Sequence, residues 1–401
     1  MFWVFISITL AVVCAILFVL VALVIVQILL AVTIGKARSS RMTQAFSGGV
    51  ERPRVAVIIP AHNESTGLLP TLDSVRLQLA YGDQVVVVAD NCTDDTAQVA
   101  RQAGATALER MDKSRLGKGY ALDFGVRSLE ADPPAFVMFC DADVKLRTGA
   151  IDELVAQAMI TSRPAQGIYV LYPSKQPNSV NSDVASYVAV LIKNHVRPLG
   201  WRVLGGPCTC TGAGIVFDYA TVKTLPLASG NIVEDMAMSF DLASRGKAAL
   251  LCPTAFIDGE LAPSTTSADK QRRRWGHGHL QTIFSHALPA LFSFKPQKMA
   301  LGLDVVVFPL TLLMASIVAV GLLSAIAAAI SPVSWSYAVG AVVMLAMLTI
   351  TVIVGYVRFD HAPDKLRKLA TIPGYMLRKL ILYVTFFGKR ETAWNRTDRA
   401  G

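Results

Sequence analysis

Charge is what this chain has least of. Only 17% of its 401 residues are Asp, Glu, Lys or Arg, whereas 53% are hydrophobic and the mean hydropathy is +0.47. That scarcity excludes an ordinary soluble enzyme and calls for a membrane portion beside a globular one. Cysteine is sparse too, with six in all. Cys208-Thr-Cys210 lacks the two-residue spacer of a zinc site and has no matching pair elsewhere. A chain whose globular part faces a reducing compartment is not expected to use its cysteines for disulfides. The Walker spacing is missing as well: Arg115-Leu-Gly-Lys-Gly-Tyr120 looks like a phosphate loop without it, which excludes a nucleoside-triphosphatase. Acidic residues are the minority, 29 against 38 basic, giving a net charge of +9. Nucleic acid is not the partner this implies. Much of the basic excess flanks the long apolar runs, where anionic lipid headgroups account for it.

Those apolar runs set the organisation. The stretch from Phe2 to Ile34 carries no charge and is long enough to cross a bilayer with tilt. No basic residue precedes it and no small-residue cleavage site follows, so it reads as an uncleaved anchor. Val305 to Ile330 and Trp335 to Val357 are two further candidate spans, joined by the uncharged link Ser331-Pro-Val-Ser334. Lys36, Arg38 and Arg41, then Lys295 and Lys298, then Arg358, Lys365, Arg367 and Lys368 all fall on one side, which the positive-inside rule makes the cytoplasm. The expectation is a multi-pass protein of the inner (plasma) membrane. It has an anchor over 1–35, a cytoplasmic globular domain over 52–282 and an interfacial segment over 283–300. Two transmembrane helices follow over 301–357, then a cytoplasmic tail over 358–401. The tail's Tyr375 to Phe387 stretch, with Arg378 and Lys379 inside it, suits an interfacial helix that snorkels its cations.

Within the globular part, Arg54 to Pro60, Gln84 to Ala89, Ala105 to Leu108 and Ala135 to Cys140 read as short buried strands. Helices are expected to begin near Leu68, with Ser65 and Thr66 as caps, and near Thr96, with Gly104 as the stop. Strands alternating with helices at this spacing predict an α/β, doubly wound, mainly parallel sheet. In such sheets ligands bind at the carboxyl ends of the strands. There the sequence places Ala61-His62-Asn-Glu64, Asp90 and Asp141-Ala-Asp143. Two hard carboxylate ligands in the last motif suit Mn²⁺ or Mg²⁺ holding a diphosphate. About one D-x-D arises by chance in a chain of this length, and Asp and Asn are also ordinary turn formers, so the convergence of three strand ends carries the argument.

Other residues extend the set. Lys118, between two glycines, can approach a phosphate or ribose, with a solvent-facing lysine as the alternative. The small residues from Cys208 to Gly214 permit close approach of backbone to a ligand. Glu234-Asp235 opens a helix that Gly246 ends; the helix dipole alone would favour carboxylates there, and a general base is the functional reading. In Gln271-Arg-Arg-Arg274-Trp275, arginine supplies donors for a diphosphate and tryptophan a flat face for a sugar ring. His277 and His279 look like a metal pair but have no third ligand nearby.

Taken in order, these motifs resemble the membrane-embedded inverting glycosyltransferases, the broad family of cellulose, chitin and hyaluronan synthases. The resemblance covers roughly Arg54 to His279. It implies a GT-A fold binding a UDP-sugar, with Ala61, His62, Glu64 and Asp90 around the uridine. It further implies Asp141 and Asp143 at the Mn²⁺ or Mg²⁺ and diphosphate, Asp235 as base beside Glu234, and Gln271, Arg274 and Trp275 lining the site. Two departures stand out: Val233 precedes the Glu-Asp pair where Thr is common, and the membrane portion is small for a polymer synthase. The acceptor is expected to be a polysaccharide or a lipid-linked molecule, with an export or assembly partner left open. Transfer of a single sugar to a membrane lipid is the alternative within the class. A non-catalytic scaffold with a degenerate transferase domain and a nucleotidyltransferase are the readings outside it.

Overall fold

The computed structural model describes residues 2–35, 46, 51–173, 182–230, 233–261 and 265–360. The basic cluster Lys36 to Arg41 and the expected interfacial helix of the tail lie outside the described residues.

Eight strands form one sheet: Val55–Ala61 (β1), Gln84–Asp90 (β2), Thr106–Arg110 (β3), Phe136–Phe139 (β4), Val144–Leu146 (β5), Ala165–Tyr172 (β6), Ile215–Asp218 (β7) and Leu250–Glu260 (β8). Their order is β3-β2-β1-β4-β7-β6-β8-β5. The strands β3, β2, β1 and β4 run parallel, β7 is antiparallel to both its neighbours, β6 and β8 are parallel, and β5 returns antiparallel on the far edge. The doubly wound, mainly parallel α/β sheet expected from the strand spacing is therefore present.

Alternation along β1 explains how the sheet is buried on both faces. Val55, Val57 and Ile59 point to one side, where they pack with Leu68, Leu72 and Val75 and with Ile151, Leu154 and Val155. Ala56 and Ile58 point to the other, against Leu122, Val126 and Leu129. This second core does not stop at the domain. It runs on through Leu191, Ile192 and Leu199 to Ile28, Leu313, Leu348 and Tyr356, so domain and membrane helices share one apolar interior.

Among the described residues three helices are long and apolar enough to cross a membrane. The first, Phe2–Leu30, continues through a π-helical turn to Gly35. Phe5, Ile8, Val12, Ile16 and Phe18 face outward on it, as lipid-facing residues would. Its final turns behave differently: Val24, Ile28 and Ala31 are buried against the domain. At Gly200 a Cβ would collide with the Gln27 carbonyl, so only glycine lets the helix Arg197–Val203 lie this close. The second span begins at Leu310 and ends at Ala327, instead of running from Val305 to Ile330. Pro309 is the reason, since its ring disfavours helical geometry at Phe308 and it has no N–H to donate. Val305 thus closes a separate helix, Pro296–Val305, which carries Asp304. The third span is Ser334–Phe359. The cap at the helix Leu68–Arg76 also differs from expectation: Gly67 occupies the N-cap and no side chain bonds there, because the Glu64 carbonyl accepts the Gly67 and Leu68 N–H groups.

One buried polar group fastens these parts. The Arg197 guanidinium donates to Gln27 Oε1 at 2.6 Å and to Asp304 Oδ1 at 2.8 Å, and Gln27 Nε2 donates to the same Asp304 oxygen at 2.9 Å. Three distant segments therefore meet at one carboxylate. Removing one partner of a buried pair leaves an uncompensated charge, so Asp304→Ala should cost about 3–5 kcal/mol of stability. The matched apolar pair Arg197→Met with Asp304→Leu should recover most of that loss. Thermal unfolding in detergent checks both, and a double variant as unstable as the single one would refute the account.

Candidate active site

The carboxyl ends of β1, β2 and β4 open into a cavity of about 370 Å³. Parallel pairing aligns these ends, with Ala61 opposite Ala89, while the Cys140 N–H donates to the Ile58 carbonyl at 3.1 Å and carries the β4 edge on toward Asp141. The residues expected to bind substrate or metal or to act as base line this one cavity: Ala61, His62, Glu64, Asp90, Lys118, Asp141, Asp143, Glu234, Asp235, Gln271, Arg274 and Trp275.

The β1 and β2 loops are locked together before any ligand arrives. His62 Nδ1 lies 2.6 Å from the Asp90 carbonyl oxygen, Asn63 Oδ1 accepts the Thr93 N–H at 2.7 Å, and the Glu64 N–H donates to Thr96 Oγ1 at 2.9 Å. Asn63 and Asn91 take left-handed backbone (φ 55° and 52°), which asparagine tolerates better than most residues. Asp90 is buried, and burial pushes its carboxyl up from the ordinary value while Arg110 opposes the shift. The Arg110 guanidinium donates to Asp90 Oδ1 at 2.6 Å. Arg110 was not singled out in the sequence: its strand, read there as ending at Leu108, runs on to place it.

Lys118 opens the helix Lys118–Ser128 and is not the solvent-facing lysine of the alternative reading. Its ammonium pairs with Asp141 and donates to the Gly212 carbonyl at 2.8 Å. The glycine-rich turn after Cys208 is thereby drawn to the D-x-D motif.

Glu234 and Asp235 form the first turn of the helix Glu234–Ser244, and Asp235 Oδ1 accepts the Met236 N–H at 2.8 Å. Burial raises both carboxyls, Glu234 to about 7, with Lys118 opposing in each case and Lys193 also opposing at Asp235. Gln271, Arg274 and Trp275 share one face of the helix Thr265–Thr282, as their i, i+3 and i+4 spacing requires. A Cβ at Gly278 would strike the Val233 side chain, so this helix sits against the turn carrying the carboxylate pair. His279 faces away from metal chemistry: its Nε2 lies 2.9 Å from the Val305 carbonyl, and burial lowers its pKa to about 3.

Sequence reading missed the opposite wall. Tyr169, Ser186, Lys193, Asn194 and Arg197 line the cavity there, with Val24 from the first span and Leu310, Thr311 and Leu313 from the second. The only signal was a lysine and an arginine within an otherwise apolar helical stretch, which has no motif spacing.

Among the described residues no group of three or more His, Cys, Asp or Glu is placed to hold a metal. Asp141 and Asp143 nevertheless fit Mn²⁺ or Mg²⁺ of the kind that takes one or two carboxylates and fills its remaining positions with phosphate oxygens and water. The ammonium of Lys118 beside Asp141 shows that the carboxylate already complements a cation.

Comparison with known proteins agrees with this geometry. Residues 56–209 match Glycosyl transferase family 2, and residues 137–354, more than half of the chain, match Glycosyl transferase family group 2. The chain belongs to glycosyl transferase family group 2. The 4,4'-diaponeurosporenoate glycosyltransferase of Staphylococcus aureus (strain USA300) is 38% identical over 107 residues, which is 26% of this chain and 28% of that protein. The match thus spans little more than a quarter of that relative. Among solved structures, mannosyltransferase PcManGT from Pyrobaculum calidifontis, in complex with GDP-Man and Mn²⁺, superposes with TM-score 0.55 at 18% identity over 94% of this chain and 100% of that one. Its likeness places this chain among GT-A folds. Glucosyl-3-phosphoglycerate synthase from Mycobacterium tuberculosis, in complex with Mn²⁺, UDP and glucosyl-3-phosphoglycerate, aligns at 22% identity and TM-score 0.36 over 55% of this chain and 73% of that one.

Lys118 pairs with Asp141, so if that carboxylate takes Mn²⁺, Lys118→Met should tighten Mn²⁺ binding by about tenfold, equivalent to about 1.4 kcal/mol. Asp143→Asn should weaken it. Electron paramagnetic resonance of free Mn²⁺ reads both, and unchanged affinity in Lys118→Met would show that the lysine does not guard the site.

Proposed function

We propose that this protein is a membrane-bound, metal-dependent, inverting glycosyltransferase that moves a sugar from a nucleoside-diphosphate sugar, UDP-linked by preference, to an acceptor held at the membrane. The observation that carries the reading is the shared cavity. Asp141 and Asp143 stand on its sheet edge, the Glu234–Asp235 pair stands beside them, and the membrane helices close its far end. Of the two acceptor classes expected from the sequence, polysaccharide and membrane lipid, that apolar end supports the lipid.

The roles follow from position. Ala61, His62, Glu64 and Asp90 would receive the nucleoside in the pre-locked β1–β2 loops. Asp141 and Asp143 would hold Mn²⁺ or Mg²⁺, whose charge stabilises the departing diphosphate. Lys118 and Arg274 would add donors to the same phosphates, and Gln271 and Trp275 would flank the sugar. Asp235 would take the proton from the acceptor hydroxyl. As the acceptor oxygen bonds to the anomeric carbon, the bond to the diphosphate breaks and the electron pair leaves with it. One displacement of this kind inverts the anomeric carbon and needs no enzyme nucleophile.

We place the domain on the cytoplasmic face of the plasma membrane, from the basic residues flanking the spans. The proposed organisation keeps an anchor over 1–35, a transferase domain over 52–282 and an interfacial segment over 283–300. Phe284, Phe292 and Phe294 are exposed on that segment, which suits the bilayer interface. A partner for export or assembly is compatible with this arrangement and has no structural observation behind it.

Detergent-solubilised protein supplied with UDP- or GDP-sugars, Mn²⁺ and a lipid extract should release nucleoside diphosphate. Asp235→Asn should lower kcat by about 10²–10⁴-fold, the usual worth of a general base. Silence from every donor in folded protein would remove the reading. The pH profile gives a second check. A base must be ionised, and burial raises both carboxyls of this adjacent pair, Glu234 to about 7 and Asp235 above its ordinary value, so the rate should fall as pH drops while the pair takes up a proton. An ordinary aspartate would sustain it down to about 4.

A further inference from the structure

Beyond Asp235 the cavity changes character. On one side stands the helical stretch Ser182–Leu191, continued by a π-helical turn over Ile192–Val196. On the other stand Val307 and Phe308, the first turn of the second span with Leu310 and Leu313, and Val24 of the first span. This end is mainly apolar, with Ser186, Asn194 and Thr311 among its polar lining, and the side chain of Lys193 opens into it.

Four basic side chains of lysine or arginine line the cavity, and their charges are answered differently. Lys118 is paired with Asp141, and Arg197 with Asp304 and Gln27. Arg274 faces the region assigned above to the diphosphate. Lys193 makes no ion pair or hydrogen bond among the described residues. Asp235 and Asp304 attract it from a distance and Arg197 repels it. The Lys193 side chain is exposed on the cavity side, and the neighbouring protein pushes its ammonium below the ordinary lysine value. An ammonium set against a mainly apolar wall, without a protein partner, is less fully hydrated than in open water, at some cost. A binding site is where such a cost is offset, by the ligand that brings the opposite charge.

We propose that the acceptor side of this cavity takes an amphiphile whose head carries an anionic oxygen, a carboxylate or a phosphate, paired with Lys193, and whose tail lies along Val190, Phe308, Leu310 and Leu313 between the first and second spans. This rests on the transferase reading above, since it names the acceptor class for the same site. Lys193 is then the residue that selects acceptors by charge, and Asp235, on the same cavity, meets the head that Lys193 has placed. The competing role for Lys193 is simply to offset the Asp235 charge, which would give no preference among heads.

The test uses the full chain in phosphatidylcholine nanodiscs. Three fluorescent polyene probes share one tail: cis-parinaric acid, the corresponding alcohol and the corresponding phosphate monoester. Energy transfer from tryptophan, Trp275 included, reports occupancy. The native protein should bind at least one of the two anions ten times or more tighter than the alcohol, and the stronger anion tells carboxylate from phosphate. Lys193→Gln should bring the anion down to the affinity of the alcohol, with alcohol binding unchanged, while Lys193→Arg should retain the preference. Equal binding of all three probes to the native protein would overturn the proposal, and that result needs no variant to fold. So would equal weakening of anion and alcohol in Lys193→Gln, which marks a merely structural lysine. Nucleoside-diphosphate release from a UDP-sugar, measured in the same nanodiscs against Asp143→Asn, separates the two readings. Anion preference without release refutes the transferase, and release without preference refutes the acceptor pocket.

Discussion

Everything on the membrane side of this molecule depends on the Asp304 carboxylate. It is shared by Arg197 and Gln27, and so joins the last turns of the first helix, the domain helix that follows the π-helical turn, and the short helix before the second span. A buried ion pair is weak evidence for stability as such, because desolvation offsets most of its attraction. What it supplies here is register. An amide, a guanidinium and a carboxylate can satisfy one another in only a narrow range of positions, and apolar side chains around them are far less particular. With Gly200 pressed on the Gln27 backbone, the anchor helix is seated on the domain and not merely tethered to it.

That seating explains why the cavity has two kinds of wall. The sheet edge follows from parallel strands whose carboxyl ends coincide, an arrangement that gathers acidic loops wherever it occurs. The opposite wall follows from helices that would otherwise pack against lipid. The catalytic chemistry proposed here needs both: fixed carboxylates for a charged leaving group, and a dry surface for an acceptor that is itself membrane-bound.

The sheet edge was readable in advance and the helical wall was not, for physical reasons. Alternation in Val55 to Ala61 and the apolar runs of Gln84–Asp90 and Phe136–Phe139 are short-range patterns, and so are the motifs that end them. Their convergence follows from parallel pairing. Lys193 and Arg197 have no such local signature. Arg197 acquires its meaning from Gln27 and Asp304, which are 170 and 107 residues away in the chain. Likewise Pro309 was visible as a residue, but the apolar run through it concealed that the second span starts only beyond it. The failed Ser65 and Thr66 caps show the same limit at short range, because a backbone carbonyl at Glu64 had already taken the helix N–H groups.

The ion pair between Lys118 and Asp141 has a consequence for the working cycle. A crevice built to receive a dication and a diphosphate would, when vacant, collect mutually repelling carboxylates at the sheet edge. The lysine removes part of that repulsion from within the chain. If Asp141 holds the metal as proposed, its binding would exchange one cation for another and free Lys118 to donate to the phosphates.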